Sequence, residues 1–135
     1  MDFDLKCGMS AEVERVVRES DTAASFGSGE VKVFATPVMI GMMENAALKA
    51  VDPFLPEGYV TVGLSLNVKH IAATPVDMKV RAAAELLKIE GKKLTFKIEA
   101  YDEVEKIGEG THERYIINLE KFIPKAMAKK KLNND

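Results

Sequence analysis

The run from Pro37 to Val51 most constrains the fold, because it reads as a helix with almost no wet side. Thr36-Pro37 opens it. A threonine hydroxyl can accept a bond from an unpaired first-turn amide, and proline suits the first helical position because it has no amide to leave unpaired. Asp52-Pro53 stops it. At 100° per residue, Asn45, Lys49 and Asp52 share one narrow polar stripe, and apolar side chains cover nearly all the rest. Such a helix is buried on most sides. Gly41 within it costs roughly 1 kcal/mol against alanine, which predicts that another backbone approaches closely there.

Something must wrap this helix, and the residues after it supply strands. From Tyr59 the chain alternates, with Val60, Val62, Leu64, Leu66 and Val68 on one face and Thr61, Gly63, Ser65, Asn67 and Lys69 on the other. This is the period of a strand with one buried face. A break at Ala73-Thr-Pro75 precedes further strands at about Met78–Ile89, Lys93–Ala100 and Lys106–Leu119, the second of these with Leu94, Phe96, Ile98 and Ala100 inward. Ahead of the helix, Ser10–Ser20 favours a strand and Val31–Phe34 a short β run, separated by the turn-forming Phe26-Gly-Ser-Gly29. Strands segregated from one apolar helix describe an α+β layer. To cover that helix the antiparallel sheet must curl around it, which is the hotdog fold, with the helix at about 37–51.

A length of 135 residues and 47% hydrophobic composition fit one domain, taken as 1–135, with a basic tail from about Lys125. The net charge of −2 gives no general attraction to nucleic acid or an anionic membrane. Lys125 and Lys129–Lys131 read as a solvated tail, with contact to a ligand's phosphates as the lesser reading. Cys7 is the only cysteine, so no intramolecular disulfide is possible. The acidic start Met-Asp-Phe-Asp is unlike a signal peptide, and no apolar run reaches membrane-spanning length. A cytoplasmic protein is expected, without metal, because one cysteine and two histidines offer no ligand spacing.

Three residues point to chemistry. His70 extends the even-numbered series and so joins the face expected to look at the helix, although a lone histidine there can simply be a satisfied core residue. Glu44 lies off the polar stripe. A carboxylate on the apolar side of a buried helix is costly unless paired, and the bland alternative is that it reaches water past Asn45. Thr36 is sufficiently explained as a helix cap, but amides and the positive dipole end at a helix start also stabilise an oxyanion. Thr36 and Glu44 are eight residues apart, ~12 Å along the axis, so contact between them does not follow.

The stretches Val33-Phe-Ala-Thr-Pro-Val-Met-Ile-Gly-Met-Met-Glu44, Asn67-Val-Lys-His-Ile-Ala-Ala-Thr-Pro75 and Ile107-Gly-Glu-Gly-Thr-His-Glu-Arg114 resemble, in order and spacing, the fluoroacetyl-CoA thioesterase family across about residues 8 to 125. The resemblance implies a hotdog homodimer that hydrolyses acyl-CoA without metal or cofactor, with Thr36, Glu44 and His70 in the catalytic positions. It also implies that Gly63 lies in the active-site strand near substrate or water. Where the family's specialised member closes its pocket with aromatic residues, this chain reads Gly27-Ser-Gly-Glu-Val-Lys-Val, leaving Phe26 and Phe34 as the nearby aromatics. That departure implies a broader or different short-acyl preference, with Phe34 against the substrate. Gly108 and Gly110 predict close packing against the helix. Arg114, on the same strand face as His112, is a candidate for a coenzyme A phosphate or for an ion pair. The alternative reading of the whole chain is a non-catalytic acyl-CoA sensor or carrier of the same fold.

Overall fold

The computed structural model describes residues 3–133; Met1, Asp2, Asn134 and Asp135, the ends of the expected domain, lie outside the described residues. Strand β1 spans Ser10–Val16, followed by a 3-10 turn at Glu19–Asp21 and a short helix α1 at Ala23–Phe26. The long helix α2 runs Thr36–Val51 and continues into a 3-10 turn at Asp52–Phe54. Strands β2 (Tyr59–His70), β3 (Lys79–Glu90), β4 (Lys93–Tyr101) and β5 (Lys106–Asn118) follow, then helices α3 (Leu119–Met127) and α4 (Lys129–Asn133). The sheet has the order β1-β3-β4-β5-β2, with every named pairing antiparallel. This is the hotdog architecture expected from the sequence.

Periodicity predicts the middle strands well. Val80, Ala82, Ala84 and Leu86 of β3 and Leu94, Phe96, Ile98 and Ala100 of β4 are buried against Met39, Met42, Met43, Ala46, Ala47 and Ala50 of α2 in one core. Gly108 belongs to this contact. A Cβ there would stand 2.6 Å from the Met39 sulfur, so helix and β5 approach more closely than any side chain allows. Gly110 faces a different neighbour, the backbone of Asn67 and Val68 in β2. Gly41 has no close neighbour at all: it is exposed, and nothing among the described residues lies within 4 Å of an added Cβ.

Other expectations change. Val31–Phe34 is no strand. Phe34 pairs with Thr22 and Val33 with Pro75 as isolated bridges, because α1 turns the chain over this segment. The tail expected from Lys125 is helical, within α3 and α4. The largest correction is in β2. Between Gly63 and Ser65 the register shifts: Gly63 opposes Arg114 and Ser65 opposes Glu113, leaving Leu64 as the extra residue of a bulge. One added residue inverts strand parity. Thr61 and Gly63 therefore face inward with Arg114 and Ile116, whereas Val60 and Val62 do not. Beyond the bulge Leu66, Val68 and His70 return to the inner face, although Leu66 stays exposed at the sheet edge.

Candidate active site

Helix α2 lies along β2 in the opposite direction and sets out two stations. At the first, the start of α2 meets the end of β2. Ala35 rather than Thr36 occupies the helix-capping position, and no side chain caps it. The Thr36 hydroxyl goes elsewhere: its Oγ1 lies 2.7 Å from His70 Nδ1. The His70 ring also stands edge-on to Phe34, with centroids 6.4 Å apart. Burial lowers the His70 pKa below its ordinary value, with the Ala72 backbone opposing the shift. The ring is thus held neutral at pH 7, the form that can accept a proton. Its Nε2 is buried and meets no hydrogen-bond partner among the described residues.

Thr36, His70 and Phe34 line a cleft of about 400 Å³, closed on the other side by Ser28, Gly29, Val31 and Ile71. The Gly-Ser-Gly loop after α1 forms this wall where a chain with aromatic side chains would fill it. The cleft can admit a small acyl group beside the hydroxyl–imidazole pair.

The second station lies farther along α2. Glu44 reaches towards Gly63, where a Cβ would stand 3.0 Å from its Oε2. Arg114 Nη1 is 3.9 Å from the same oxygen. The Glu44 side chain retains 37% exposure, so it is neither a core carboxylate nor free in solvent. Arg114 itself is buried. Its Nε donates to Thr61 Oγ1 at 2.8 Å and its Nη2 to the Thr61 carbonyl at 2.9 Å. The Thr61 hydroxyl in turn donates to Asp52 Oδ1 at 2.6 Å.

His112 completes the set. Its Nδ1 lies 2.8 Å from the Ser65 carbonyl, and its Nε2 lies 3.1 Å from Arg114 Nη1. A donor to a carbonyl at one nitrogen and an acceptor from a guanidinium at the other is the pattern of neutral imidazole. Burial lowers the His112 pKa, and Arg114 adds to the shift. Burial also lowers the Arg114 pKa, while Asp52 and Glu44 oppose it. The network leaves Arg114 enclosed in this protomer, so a phosphate in open solvent does not reach it; the exposed part of its surroundings is Glu44.

The structure therefore brings Thr36 to His70 and Glu44 to Gly63 and Arg114, and no hydrogen bond or ion pair among the described residues joins the two groups. Sequence reasoning did not find the Asp52–Thr61–Arg114–His112 network. The available signal was Gly63 in mid-strand, since glycine there often marks a bulge, and a bulge turns Thr61 inward.

Related structures share this architecture. A single-residue mutant of the fluoroacetyl-CoA-specific thioesterase FlK superposes with a TM-score of 0.87 at 36% identity, covering 95% of this chain and 99% of that one. Mutants of that enzyme have also been solved with fluoroacetate and CoA, and with acetyl-CoA. A thioesterase-superfamily member from Thermus thermophilus matches at a TM-score of 0.86 and 32% identity, covering 96% and 97% of the two chains. Fold and relatives together define a hotdog-fold acyl-CoA thioester hydrolase acting on short acyl chains. The sequence pattern of the fluoroacetyl-CoA-specific thioesterase family (FlK) matches residues 17–120. The fluoroacetyl-CoA thioesterase of Streptantibioticus cattleyicolor is 45% identical over 98 residues, 73% of this chain and 70% of that protein. The chain belongs to this family.

Proposed function

We propose that the Thr36–His70 pair attacks the thioester, and that the two stations join across a homodimer. The observation that carries this is the 2.7 Å contact between Thr36 Oγ1 and His70 Nδ1 at the wall of the cleft. A hydroxyl held against a neutral imidazole is the arrangement of a nucleophile, or a nucleophilic water, beside its base. His70 takes the proton as the oxygen adds to the acyl carbonyl. The positive end of α2 stabilises the oxyanion. Collapse of the adduct breaks the C–S bond and expels CoA thiolate, which takes the proton from His70. A water deprotonated by His70 then cleaves the acyl–Thr36 ester, and the returning proton restores the Thr36 hydroxyl as the acid leaves.

The dimer is supported by β2. It is an edge strand of twelve residues with exposed Leu64 and Leu66, and such an edge calls for a partner. Antiparallel pairing of two β2 strands sets the end of one beside the beginning of the other. His70 of one protomer then approaches the Thr61–Gly63 region of its partner, where Glu44 and Arg114 stand. In this reading Glu44 orients the attacking water or carbonyl and Gly63 lines the acyl end, while the buried Arg114 holds Glu44 from behind. Phe34, itself buried in the core, backs the His70 ring behind the cleft.

The acyl group is short, and the Gly27–Gly29 wall favours tolerance of acetyl-sized and slightly larger groups over strict selection for fluoroacetyl. No helix among the described residues is long and apolar enough to cross a membrane. An exposed free Cys7 and a CoA thioester substrate favour a reducing cytoplasm.

Mixed dimers test the assignment. His70→Ala and Glu44→Gln proteins are each expected to lose most CoA release. Unfolded and refolded together in equal amounts, they should recover about one quarter of wild-type activity, because half the dimers then contain one intact composite site. No recovery in a folded dimer refutes the shared site. Full activity in either single variant refutes that residue's role.

A further inference from the structure

Helix α3 carries a face that its own protomer does not cover. Leu119, Phe122, Ile123 and Met127 fall on one side at helical spacing, and each is between 39% and 51% exposed. Lys121 and Lys125 occupy the opposite side. An amphipathic helix left this open lacks a partner surface.

Its point of attachment says where that partner is. The Leu119 amide donates to the Gly58 carbonyl at 2.9 Å, and Tyr59 pairs with Asn118, so α3 starts beside the beginning of β2. In the β2-paired dimer, on which this inference rests, that position adjoins the end of the partner's β2. The residues just past that end, Ile71 to Ala73, line the Thr36–His70 cleft. Ile71 is exposed there, as are Val31 on the cleft wall and Phe26 at the end of α1. Two uncovered apolar patches thus meet when the edge strands pair.

We propose that the apolar face of α3 docks on a second copy of the chain, against the Ile71–Val31 rim of its cleft, and forms one wall of the substrate entrance. Each active site then takes its hydroxyl–imidazole pair from one protomer and part of its mouth from the other. This accounts for a cleft that is open in the single chain although the reaction needs an acyl group held still.

Disulfide trapping tests it in the full-length protein. In a Cys7→Ser background, Phe122→Cys is combined with Ile71→Cys, and the oxidised product is read by non-reducing electrophoresis and peptide mass. Light scattering on the same sample gives the mass in solution. A covalent dimer linked 71 to 122 between chains is the expected result. A dimer by light scattering whose link forms within one chain, or does not form, overturns the docking and leaves the β2-paired dimer standing. A monomer overturns both. Binding of the unlinked protein to anionic phospholipid vesicles, lost in Phe122→Glu, would make a membrane the occupant and overturn the proposal as well. If the docking is right, Phe122→Glu also raises KM for acetyl-CoA about tenfold, as loss of an aromatic anchor does, with the thermal midpoint little changed. An unchanged KM refutes the wall.

Discussion

Gly63→Ala separates the position of Glu44 from the stability of the fold. The new Cβ would stand 3.0 Å from Glu44 Oε2, about 0.4 Å inside ordinary carbon–oxygen contact. Its next neighbours, His112 Cε1 at 3.7 Å and Arg114 Nη1 at 3.8 Å, are at normal separation. Gly63 is not among the residues with positive φ, so alanine carries no backbone strain there. The conflict is therefore with the end of one flexible side chain that can swing towards water. Stability should move by less than about 1 kcal/mol, since the reduced freedom of the unfolded chain offsets part of the crowding. For a domain of this size that is a shift of about 3–5 °C at most. Activity should respond more. A misplacement of about 1 Å at a reacting group costs on the order of 10²-fold, so a displacement of about half that predicts roughly tenfold lower kcat. The assay is continuous thiol detection of CoA from acetyl-CoA, beside a circular-dichroism melt. Gly41→Ala is the control: the same exchange on α2, with open space around the added carbon, should stabilise by about 1 kcal/mol and leave kcat alone. Unaltered kcat in Gly63→Ala would remove Glu44 from the chemistry. A fall in kcat matched by a large fall in melting temperature would make Gly63 a packing residue instead.

Asp52→Ala removes the acceptor that holds Thr61 against Arg114 and should destabilise by about 1–3 kcal/mol, read as a lower midpoint in urea. Gly108→Ala forces a Cβ towards Met39 and Met43 and should cost about 1–3 kcal/mol by overpacking; an unshifted melting temperature would mean that α2 withdraws freely. The acid limb of kcat/KM should have its midpoint below 6.5, because the competent His70 is neutral and burial lowers its pKa. The same shift makes the folded protein bind fewer protons than the unfolded one as pH falls past 6.5, so His70 contributes instability on the acid side, not the alkaline side. An acid limb centred above pH 7 would contradict the burial of the ring.

The core was legible because it obeys simple periods. Leu94, Phe96, Ile98 and Ala100 alternate without interruption, and β4 has no reason to bend. Thr36-Pro37 marked the start of α2 for a reason that proved half complete: proline does favour that position, but the threonine hydroxyl is committed to His70, 34 residues away in sequence. No local rule contains that contact. Gly41 misled in the opposite way, since the absence of a side chain implied a neighbour that the protomer does not supply. Arg114 and His112 were placed on one strand face by parity, yet their burial depends on Thr61 turning inward, and that depends on the bulge.

The bulge explains how one strand serves both stations. Gly63 and His70 are seven positions apart, and on a regular strand an odd separation puts two residues on opposite faces. Here both face α2, because Leu64 is passed over in the pairing with β5. The segment before it presents Thr61 and Gly63 to Arg114 and Glu44; the segment after it presents His70 to Thr36. The alternation that made β2 look like a uniform apolar face was thus the sum of two half-strands of opposite phase. Val60 and Val62 belong to one and Leu66 and Val68 to the other. The extra residue also leaves Leu64 exposed on an edge where a second β2 would cover it. A strand that must turn both stations inward while keeping its outer edge available for pairing needs such a break near its middle, and glycine at 63 leaves the room that Glu44 occupies.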